Sequence, residues 1–238
     1  MRIALIGYGK MGKAIEQIAL EKGHTCPFKI TNSNKEDLNL ITPQTADVAI
    51  EFTVPAAAVE NISTLLKNKV PVICGTTGWL DQLPTIEKLT KDNNTAFFYA
   101  SNFSVGVNIF FKLNKMLAKI MNEFKDYDVE MEEIHHIHKL DAPSGTAITL
   151  AEGVMDNFNT KNQWALDEVK AKDDLKIVAK RIDEVPGTHI VSYNSPIDSI
   201  EIKHTAHNRT GFALGSVLSA QWLKDKKGVF GMDDMLKL

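Results

Sequence analysis

The segment that decides the fold is RIALIGYGKMG, residues 2–12, at the start of the chain. An apolar run, Ile3–Ile6, leads directly into three glycines, and an amphipathic stretch follows them. A strand, a glycine-rich turn and a helix in this order are the context that a dinucleotide-binding fingerprint requires. Gly7 permits the tight turn, Gly9 lets the backbone approach a pyrophosphate, and Gly12 lets the helix pack on the strand. The sequence therefore predicts a nucleotide at a helix N-terminus, and a glycine-rich turn without a ligand is the alternative.

The rest of the first hundred residues extends this pattern. Short apolar runs alternate with amphipathic stretches, which is typical of a parallel sheet with crossover helices. The predicted strands are Arg2–Ile6, Thr25–Ile30, Asp47–Phe52, Val70–Cys74 and Thr95–Tyr99. We therefore expect residues 1–104 to form a Rossmann-type, dinucleotide-binding domain of the α/β class.

The pattern changes after a long amphipathic helix predicted over Val105–Met121. Longer extended segments follow and enclose one helix, Thr146–Phe158. The extended segments are Tyr127–His136, Lys176–Lys180, His189–Tyr193 and Ser199–Thr205. We expect residues 105–209 to form an α+β domain with an open mixed sheet, for substrate binding and oligomerisation. Residues 210–238 are expected to form a helix and a tail that packs back on the first domain.

Composition excludes several classes of function. The 238 residues carry a formal net charge of −3 and no run rich in lysine or arginine, so binding to nucleic acid or to an anionic membrane is not expected. No apolar stretch has the length of a transmembrane helix. Cys26 and Cys74 are too few for a disulfide framework, and both lie in apolar, strand-like runs. A protein of the reducing cytoplasm is expected.

The end of the second predicted strand bears on which coenzyme binds. Sites for NAD usually have an acidic residue about twenty positions after the glycines, which binds the adenine ribose. Here the strand ends in KITNSNK, residues 29–35, and no carboxylate precedes Glu36. Hydroxyls, amides and Lys10 or Lys35 suit a 2′-phosphate, which favours NADPH over NADH. The alternative is that these lysines are solvated surface residues.

Three more segments follow predicted strands and are candidate walls of the coenzyme site. They lie at the carboxyl ends of strands, where ligands bind in open parallel sheets. Ordinary turn chemistry is the alternative for each segment taken alone. The segments are Phe52-Thr53, Gly75-Thr76-Thr77-Gly78 and Ala100-Ser101-Asn102-Phe103.

The segment EIHHIHKLDAPSGT, residues 133–146, carries three imidazoles, an ammonium, carboxylates and a glycine turn with two hydroxyls. Because buried charges and unpaired polar groups are costly, this mixture suits a site that binds a dicarboxylate and moves protons. Histidine titrates near neutrality, and the lysine attracts a carboxylate. A helix that begins after Pro143 presents N–H groups to an anion. The alternative is that Ser144 or Thr146 is an N-cap and nothing more.

Zinc binding is the rival interpretation of these histidines. Metal sites need three or four ligands in a closed geometry. His135, His136 and His138 are too close in an extended chain to converge without a sharp bend. In a strand, His136 and His138 would share one face and His135 would point the other way. We therefore expect proton transfer here, and no metal.

The chain resembles the 4-hydroxy-tetrahydrodipicolinate reductase (dihydrodipicolinate reductase) family over nearly its whole length. The histidine segment EIHHIHKLDAPSGTA, residues 133–147, is the most specific of the motifs on which this resemblance rests. The others are GYGKMG at 7–12, IEFTVP at 50–55, GTTGW at 75–79, ASNFSVGVN at 100–108, VPGTH at 185–189 and EIKHTAHNR at 201–209.

The resemblance implies an activity and a set of site residues. Family members use NADH, NADPH or both to reduce 4-hydroxy-tetrahydrodipicolinate, a cyclic dicarboxylate of the diaminopimelate route to lysine, with loss of water. The proton donor falls on His135 and a substrate contact on His136. Lys139 is a proton donor or carboxylate ligand, and Gly145 and Thr146 hold a carboxylate. The implied cofactor contacts are Gly7, Tyr8, Gly9, Lys10, Met11, Phe52, Thr53, Gly75, Thr76, Thr77, Ala100, Ser101, Asn102 and Phe103.

The resemblance also implies a hinge between the two domains and a homotetramer built on the second one. Two departures bear on this. The phosphate turn is a plain GxGxxG with Lys10, whereas typical members often have an extra residue and an arginine. The stretch from Val185 to Arg209 is shorter by about a hairpin, and in typical members that segment contributes to the subunit interface.

The resulting hypothesis is hydride transfer from NAD(P)H to C4 of a conjugated imine, after domain closure. His135 or Lys139 then protonates the enamine. One rival is a semialdehyde dehydrogenase with a covalent thiol, but Cys74 ends a buried strand instead of starting a helix. Another is a non-catalytic NAD(P)H sensor, which would have no reason to keep the histidine segment.

Overall fold

The computed structural model describes residues 1–208 and 210–237. Arg209, which ends the EIKHTAHNR motif, and Leu238 lie outside the described residues. The chain divides into two compact units. The first comprises Met1–Val105 with Thr210–Leu238, and the second comprises Gly106–Arg209.

The strands and helices of the described residues are numbered here in chain order. The strands are β1 (Arg2–Ile6), β2 (Thr25–Ile30), β3 (Val48–Glu51), β4 (Val72–Cys74), β5 (Ala96–Tyr99), β6 (Asp128–His135), β7 (Gln163–Leu166), β8 (Asp174–Arg181), β9 (Gly187–Asn194), β10 (Ser199–Ala206) and β11 (Gly228–Phe230). The helices are α1 (Lys10–Glu21), α2 (Pro55–Lys67), α3 (Leu83–Asp92), α4 (Val105–Met121), α5 (Gly145–Met155), α6 (Thr210–Leu223) and α7 (Met232–Leu236). Two 3₁₀ segments, Asn32–Leu40 and Leu80–Gln82, complete the set.

The described residues of the first unit form a six-stranded sheet in the order β11-β5-β4-β3-β1-β2, and every pair is parallel. Alternate residues of β1 enter two separate cores. Ile3 and Leu5 pack with α1 and α6, whereas Ala4 and Ile6 face the core that contains α2 and α3. Because helices cover both faces, the inner strands β1, β3, β4 and β5 are buried along nearly their whole length, whereas the edge strand β2 alternates. Each fully buried isoleucine or leucine contributes about 1.5–3 kcal/mol.

This strand order determines where a ligand can bind in the first unit. β1 lies between β2 and β3, so the chain reverses its direction of sheet growth at β1. In open parallel sheets, ligands bind outside the carboxyl ends of the strands at such a switch point. Gly7 follows β1 and Phe52 follows β3, so both predicted cofactor segments lie at this point.

The described residues of the second unit form a five-stranded sheet in the order β10-β9-β6-β8-β7. β9 is antiparallel to both of its neighbours, whereas β8 is parallel to β6 and β7, so the sheet is mixed. Its apolar face packs against α4 and α5. β6 occupies the centre, with its inward face made by Val129, Met131, Glu133 and His135. The central strand therefore carries two polar side chains into the interior at its carboxyl end.

The predicted fold class, a Rossmann-type parallel sheet with a second α+β unit and a mixed sheet, is confirmed. β7 and β11 were missed, since three or four residues are too few to show a period. β11 pairs in parallel with β5, and α7 packs into the core of the same unit. In the described part of the chain, no helix is long and apolar enough to cross a bilayer.

Candidate active site

The turn after β1 has the backbone that a phosphate site needs. Gly7 has φ +92°, and a Cβ at this position would lie 1.9 Å from the carbonyl oxygen of Phe52, so only glycine fits. Gly9 is the N-cap of α1 and provides no side-chain cap. A Cβ at Gly9 would meet nothing within 4 Å, so the space in front of the helix start is open. The uncapped N–H groups and the helix dipole favour an anion at this position.

A groove of about 450 Å³ lies beside this turn. Tyr8, Thr31, Asn32, Lys35, Phe52 and Thr53 are among the residues that line it. The groove thus reaches from the glycine turn to the end of β2, the position of the adenine ribose in a dinucleotide site. A dinucleotide fits this arrangement. The glycine turn and the open start of α1 suit its pyrophosphate, and the groove suits its adenine ribose.

Two ion pairs lie beside this groove. Lys35 Nζ is 2.7 Å from a carboxylate oxygen of Glu60, and both side chains are exposed. Lys29 is 2.5 Å from Glu16 and lies over the ring of Tyr8, whose hydroxyl also donates to Glu16. The hydrogen bond from Lys29 lowers the pKa of Glu16. The lysines near the ribose position are therefore paired, not isolated.

A buried carboxylate joins two of the predicted cofactor walls. Glu51, at the end of β3, is completely buried. It accepts hydrogen bonds from the hydroxyls of Thr53 and Thr76, the latter at 2.7 Å, and from the thiol of Cys74 at 3.2 Å. The Thr76 hydroxyl in turn accepts from the backbone N–H of Thr53 at 2.8 Å. Sequence reasoning did not identify Glu51, although a carboxylate ending a buried apolar strand is a signal.

The third predicted wall, residues 100–103, packs on Phe52. The Phe52 ring lies over Gly75, where an added Cβ would be 2.2 Å from the ring. The centroids of the Phe52 and Phe103 rings are 5.6 Å apart. Ala100, Asn102 and Phe103 are buried, whereas Ser101 is exposed. The first unit therefore brings together the predicted segments at residues 7–11, 52–53, 75–77 and 100–103.

The histidine segment begins inside the second unit and then leaves the sheet. β6 ends at His135, which is 8% exposed and faces the same way as Glu133. The sequence-based assignment of faces assumed that the strand alternation continues to His136 and His138. The strand ends at His135, so that assignment does not apply to them. Their rings lie 6.2 Å apart in the following loop, where His136 is half-buried and His138 exposed.

Glu133 is the centre of a polar network that the sequence did not reveal. Its carboxylate is completely buried and accepts from the Ser144 N–H at 3.1 Å on each oxygen. Arg181 donates to Oε1 at 3.1 Å, and His135 Nδ1 lies 3.4 Å from Oε2. Burial by itself would raise the pKa of Glu133, but the contacts with His135 and Ser144 outweigh it and hold the pKa at about 2. Glu133 is therefore ionised throughout the physiological range.

The sheet register explains this network. His189 on β9 is the direct partner of Glu133, and Arg181 on β8 is the partner of His135. The rings of His135 and His189 meet edge to face, with centroids 5.1 Å apart. Burial lowers the pKa of His189 to about 4, so its ring is neutral at pH 7. The Ser144 hydroxyl lies 3.1 Å from His189 Nε2.

Lys139 is tied back to its own loop. Its ammonium donates to both carboxylate oxygens of Asp141, at 2.7 and 2.8 Å. The hydrogen bond from Lys139 lowers the pKa of Asp141. Arg181 donates to the backbone carbonyls of Lys139 and Asp141, at 3.4 and 2.6 Å, and so holds the loop against β8. Asp141 is 61% exposed, so a substrate carboxylate could displace it.

The start of α5 forms an open anion site. Ser144 is the N-cap, and its hydroxyl accepts from the Ala147 N–H at 3.2 Å. Ser144 is therefore an N-cap, but it also contacts Glu133 and His189, and Thr146 lies inside the helix. Within the described residues, the N–H groups of Gly145 and Thr146 have no hydrogen-bond partner. A Cβ at the exposed Gly145 would meet nothing within 4 Å. A carboxylate can thus approach this backbone closely.

A metal ion is the alternative ligand for the side chains around Glu133. Within the described residues, one group of side chains has the spacing of a metal site. It consists of Glu133, His135 and His189, whose possible ligand atoms all lie within 4.8 Å of one another. Yet the Glu133 carboxylate already has Ser144 and the Arg181 guanidinium as partners, and a neighbouring cation disfavours a divalent ion. The expectation of no metal stays a prediction.

Comparison with known proteins gives the family. The family model for the N-terminus of dihydrodipicolinate reductase matches residues 1–103, and the model for its C-terminus matches residues 106–236. A relative from Christiangramia forsetii, named 4-hydroxy-tetrahydrodipicolinate reductase, is 51% identical over 99% of this chain and 98% of its own length. The chain belongs to the dihydrodipicolinate reductase family. The resemblance stated from the motifs is thereby confirmed.

Two further similarities extend the comparison. A 4-hydroxy-tetrahydrodipicolinate reductase from Methanocaldococcus jannaschii is 35% identical over 98% of this chain and 81% of its own length. The solved structure of a dihydrodipicolinate reductase from Paenisporosarcina sp. TG-14, with dipicolinate bound, has a TM-score of 0.80. It is 23% identical and covers 98% of both chains, so it shows that the fold is the same.

In this dihydrodipicolinate reductase family member, each unit gathers its own predicted residues. The second unit brings His135, Lys139 and the 145–146 turn around one network, whereas His136 lies in the loop beside it. The residues that sequence reasoning missed are Glu51, Glu133, Arg181 and His189. Glu133 entered the sequence analysis only as the first residue of the histidine segment, and His189 only as the end of the VPGTH motif.

Proposed function

We propose that this chain catalyses the NAD(P)H-dependent reduction of 4-hydroxy-tetrahydrodipicolinate to tetrahydrodipicolinate, with loss of water, in the diaminopimelate route to lysine. The observation that carries the proposal is the second unit's combination of a buried His135, an ammonium at Lys139 and a helix start at which the Gly145 and Thr146 N–H groups are free. A cyclic dicarboxylate that must be protonated after reduction needs all three. A non-catalytic NAD(P)H sensor needs none of them.

The substrate-binding roles follow from the donors that are available. The free N–H groups of Gly145 and Thr146 and the Thr146 hydroxyl hold one carboxylate. Lys139 exchanges its Asp141 partner for the substrate and neutralises a carboxylate. His136, half-buried in the adjacent loop, contacts the substrate ring. These contacts orient the substrate before reduction.

Proton transfer is assigned to His135, with Lys139 as the alternative donor. His135 lies at the end of the central strand, and its Nδ1 is 3.4 Å from the buried Glu133 carboxylate. A donor that is fixed in this way contributes roughly 10²–10⁴ in rate as a general acid. Lys139 is tied to an exposed carboxylate and is placed better for binding than for protonation.

The first unit is proposed to bind the coenzyme, which supplies a hydride when bound. The α1 N-terminus would hold the pyrophosphate, and residues 52–53, 75–77 and 100–103 would line the nicotinamide half. We propose NADPH over NADH because no carboxylate lies at the end of β2, where the groove reaches Thr31 and Asn32. Lys35 would leave Glu60 to meet a 2′-phosphate.

The activity is tested by supplying aspartate semialdehyde, pyruvate and a dihydrodipicolinate synthase, and following NADPH oxidation at 340 nm. We expect oxidation only when all three are present. Lys139→Ala should lower turnover by roughly a hundredfold, because a lost preorganised contact costs on the order of 3 kcal/mol. Lys180→Ala, which removes an exposed lysine paired with Glu132, is the matched control. Coenzyme binding without turnover would refute the enzyme proposal in favour of the sensor.

Coenzyme preference has a separate test. Kinetics with NADPH and NADH should be compared in the wild type and in Lys35→Ala, with Lys13→Ala as the control from an exposed position of α1. We expect Lys35→Ala to weaken NADPH binding by about fivefold, which is the contribution of one exposed ion pair. NADH binding should stay unchanged. Equal effects on both coenzymes would exclude Lys35 from 2′-phosphate recognition.

The family also leads us to propose a cytoplasmic homotetramer assembled through the second unit. The segment that we expect to be shorter than in typical members contains the β9–β10 hairpin, which is closed by a turn at Ser195–Asp198. Light scattering of the purified protein would distinguish a tetramer from smaller species.

A further inference from the structure

A buried carboxylate faces the proposed proton donor, and the role inferred for it rests on the proposed function. Glu133 Oε2 lies 3.4 Å from His135 Nδ1, which is long for a hydrogen bond. The Nδ1 atom is buried and has no hydrogen-bond partner of good geometry in the described residues. Hydrogen bonds in ligand-free active sites are often long and tighten when substrate binds. Oε2 is therefore the acceptor placed to receive a proton of the ring.

The carboxylate is held so that Oε2 faces the histidines. Arg181 on β8 donates to Oε1, and the Ser144 N–H from the start of α5 donates to both oxygens. These donors come from different elements than Glu133 itself, so the carboxylate cannot rotate without losing them. A carboxylate fixed by donors from two neighbouring elements can select one orientation of the imidazole beside it.

The other ring nitrogen faces a space that a glycine keeps open. Gly187 has φ +156°, and a Cβ on it would lie 3.0 Å from His135 Nε2 and 3.3 Å from Cδ2. Any other residue would fill the volume beside Nε2 at hydrogen-bond distance. His189 packs edge to face against the ring and fixes its plane. The ring is thus placed with Nδ1 toward a fixed acceptor and Nε2 beside the Gly187 backbone, where no side chain blocks it.

We propose that Glu133 is a positioning residue, which keeps a proton on His135 Nδ1 so that Nε2 is the nitrogen that gives its proton to the substrate. In the transfer, the Nε2–H bond breaks as the bond to the reduced substrate forms. The electron pair of the broken bond stays on Nε2, and the neutral ring retains its Nδ1 proton. Glu133 stays ionised and stabilises the imidazolium that precedes transfer.

The first test is spectroscopic and needs neither substrate nor coenzyme. Protein labelled with ¹⁵N-histidine shows, through its two-bond N–H couplings, which nitrogen of each neutral ring carries the proton. The His135 signals are identified by their absence in His135→Gln. We expect the Nδ1–H form in the wild type and a shift toward Nε2–H in Glu133→Gln. An Nε2–H form in the wild type overturns the proposal, whether or not the variant folds.

The second test is kinetic. Glu133→Gln should lower kcat by about 10–100-fold, part of what a general acid contributes, and change the KM for substrate by less than about threefold. Glu132→Gln is the matched control, because Glu132 points to the other face of β6 and pairs with exposed Lys180. Unchanged kcat in Glu133→Gln, or an equal loss in Glu132→Gln, overturns the positioning role.

The two tests separate this inference from the proposed function. If the wild type shows no reductase activity, the proposed function fails, whereas the tautomer measurement still decides which nitrogen Glu133 holds. If the enzyme is active and the wild-type tautomer is Nε2–H, only the positioning role fails. NADPH affinity in Glu133→Gln, measured by fluorescence titration, should equal that of the wild type, because Glu133 belongs to the second unit.

Discussion

Replacing Thr76 with valine tests whether the buried Glu51 carboxylate organises the coenzyme site. Valine keeps the shape of threonine and removes one hydroxyl. That hydroxyl donates to Glu51 at 2.7 Å and accepts from the Thr53 N–H at 2.8 Å. The substitution therefore removes a donor from a fully buried carboxyl group and leaves the Thr53 N–H without its partner.

The magnitude follows from these two contacts. A hydrogen bond to a carboxylate contributes about 1.5–3 kcal/mol, and the half-buried Thr53 N–H that loses its partner adds about 1 kcal/mol. Both terms have the same sign, so we expect a loss of about 2.5–4 kcal/mol in the first unit. For a chain of this size, that corresponds to a decrease in Tm of roughly 10 °C. Since Thr53 also loses its anchor, NADPH affinity should fall at least about tenfold, or about 1.4 kcal/mol.

The assay is thermal unfolding followed by tryptophan fluorescence, with NADPH titration below the transition. Trp79 reports on this region directly, because its indole N–H donates to the Thr76 carbonyl at 2.6 Å. Thr85→Val is the matched control, since Thr85 is an exposed residue of α3 and loses the same hydroxyl.

The outcome that refutes the reasoning is specific. If Thr76→Val and Thr85→Val have the same Tm and the same NADPH affinity, then Glu51 does not depend on the Thr76 hydroxyl. A lower Tm with unchanged NADPH affinity would show that Glu51 stabilises the sheet without shaping the coenzyme walls.

Three further predictions concern stability, thiol reactivity and the phosphate turn. In acid, stability should fall from pH 6.5 toward 4 through His189, and from pH 4.5 toward 2 through Glu133, because the unfolded chain binds more protons than the folded one in both windows. Urea unfolding across pH checks this, and a flat profile contradicts it. His189→Gln should weaken the upper phase without removing it, because the pKa values of His24 and His204 are also lowered. Burial raises the pKa of the Cys74 thiol and raises that of Cys26 to about 11. Because the thiolate is the reactive form, an aromatic disulfide reagent should label both cysteines rapidly only after unfolding in urea. Gly7→Ala should abolish NADPH binding, because its Cβ would collide with a carbonyl oxygen; binding at the wild-type affinity would contradict that geometry.

The first unit was largely predictable because its information is local. The apolar run and glycines that set β1, the phosphate turn and α1 lie within a dozen residues, and five predicted strands agree with the structure to within two residues at their ends. Glu51 was missed because its partners follow different strands. Thr53 is a local contact two residues away, but the Thr76 hydroxyl meets the carboxylate only once β3 and β4 are paired in register.

The second site could not be derived in the same way. Arg181 lies 48 residues from Glu133, and Ser144 lies 45 residues from His189. Only the pairing of β6 with β8 and β9 brings these side chains together. A shift of one residue in either pairing would move them to the opposite face, and no local pattern specifies that choice.

One signal for this site was nevertheless present in the sequence of β6. Val129 and Met131 set an inward face, and the same alternation places Glu133 and His135 where apolar residues belong. A completely buried carboxylate is costly unless it is paired, so its presence on the inward face demands donors from neighbouring strands. Positions that break an otherwise consistent pattern are those where function has overridden folding. The carboxylate inside the sheet, more than the three imidazoles beside it, therefore indicates where the site lies.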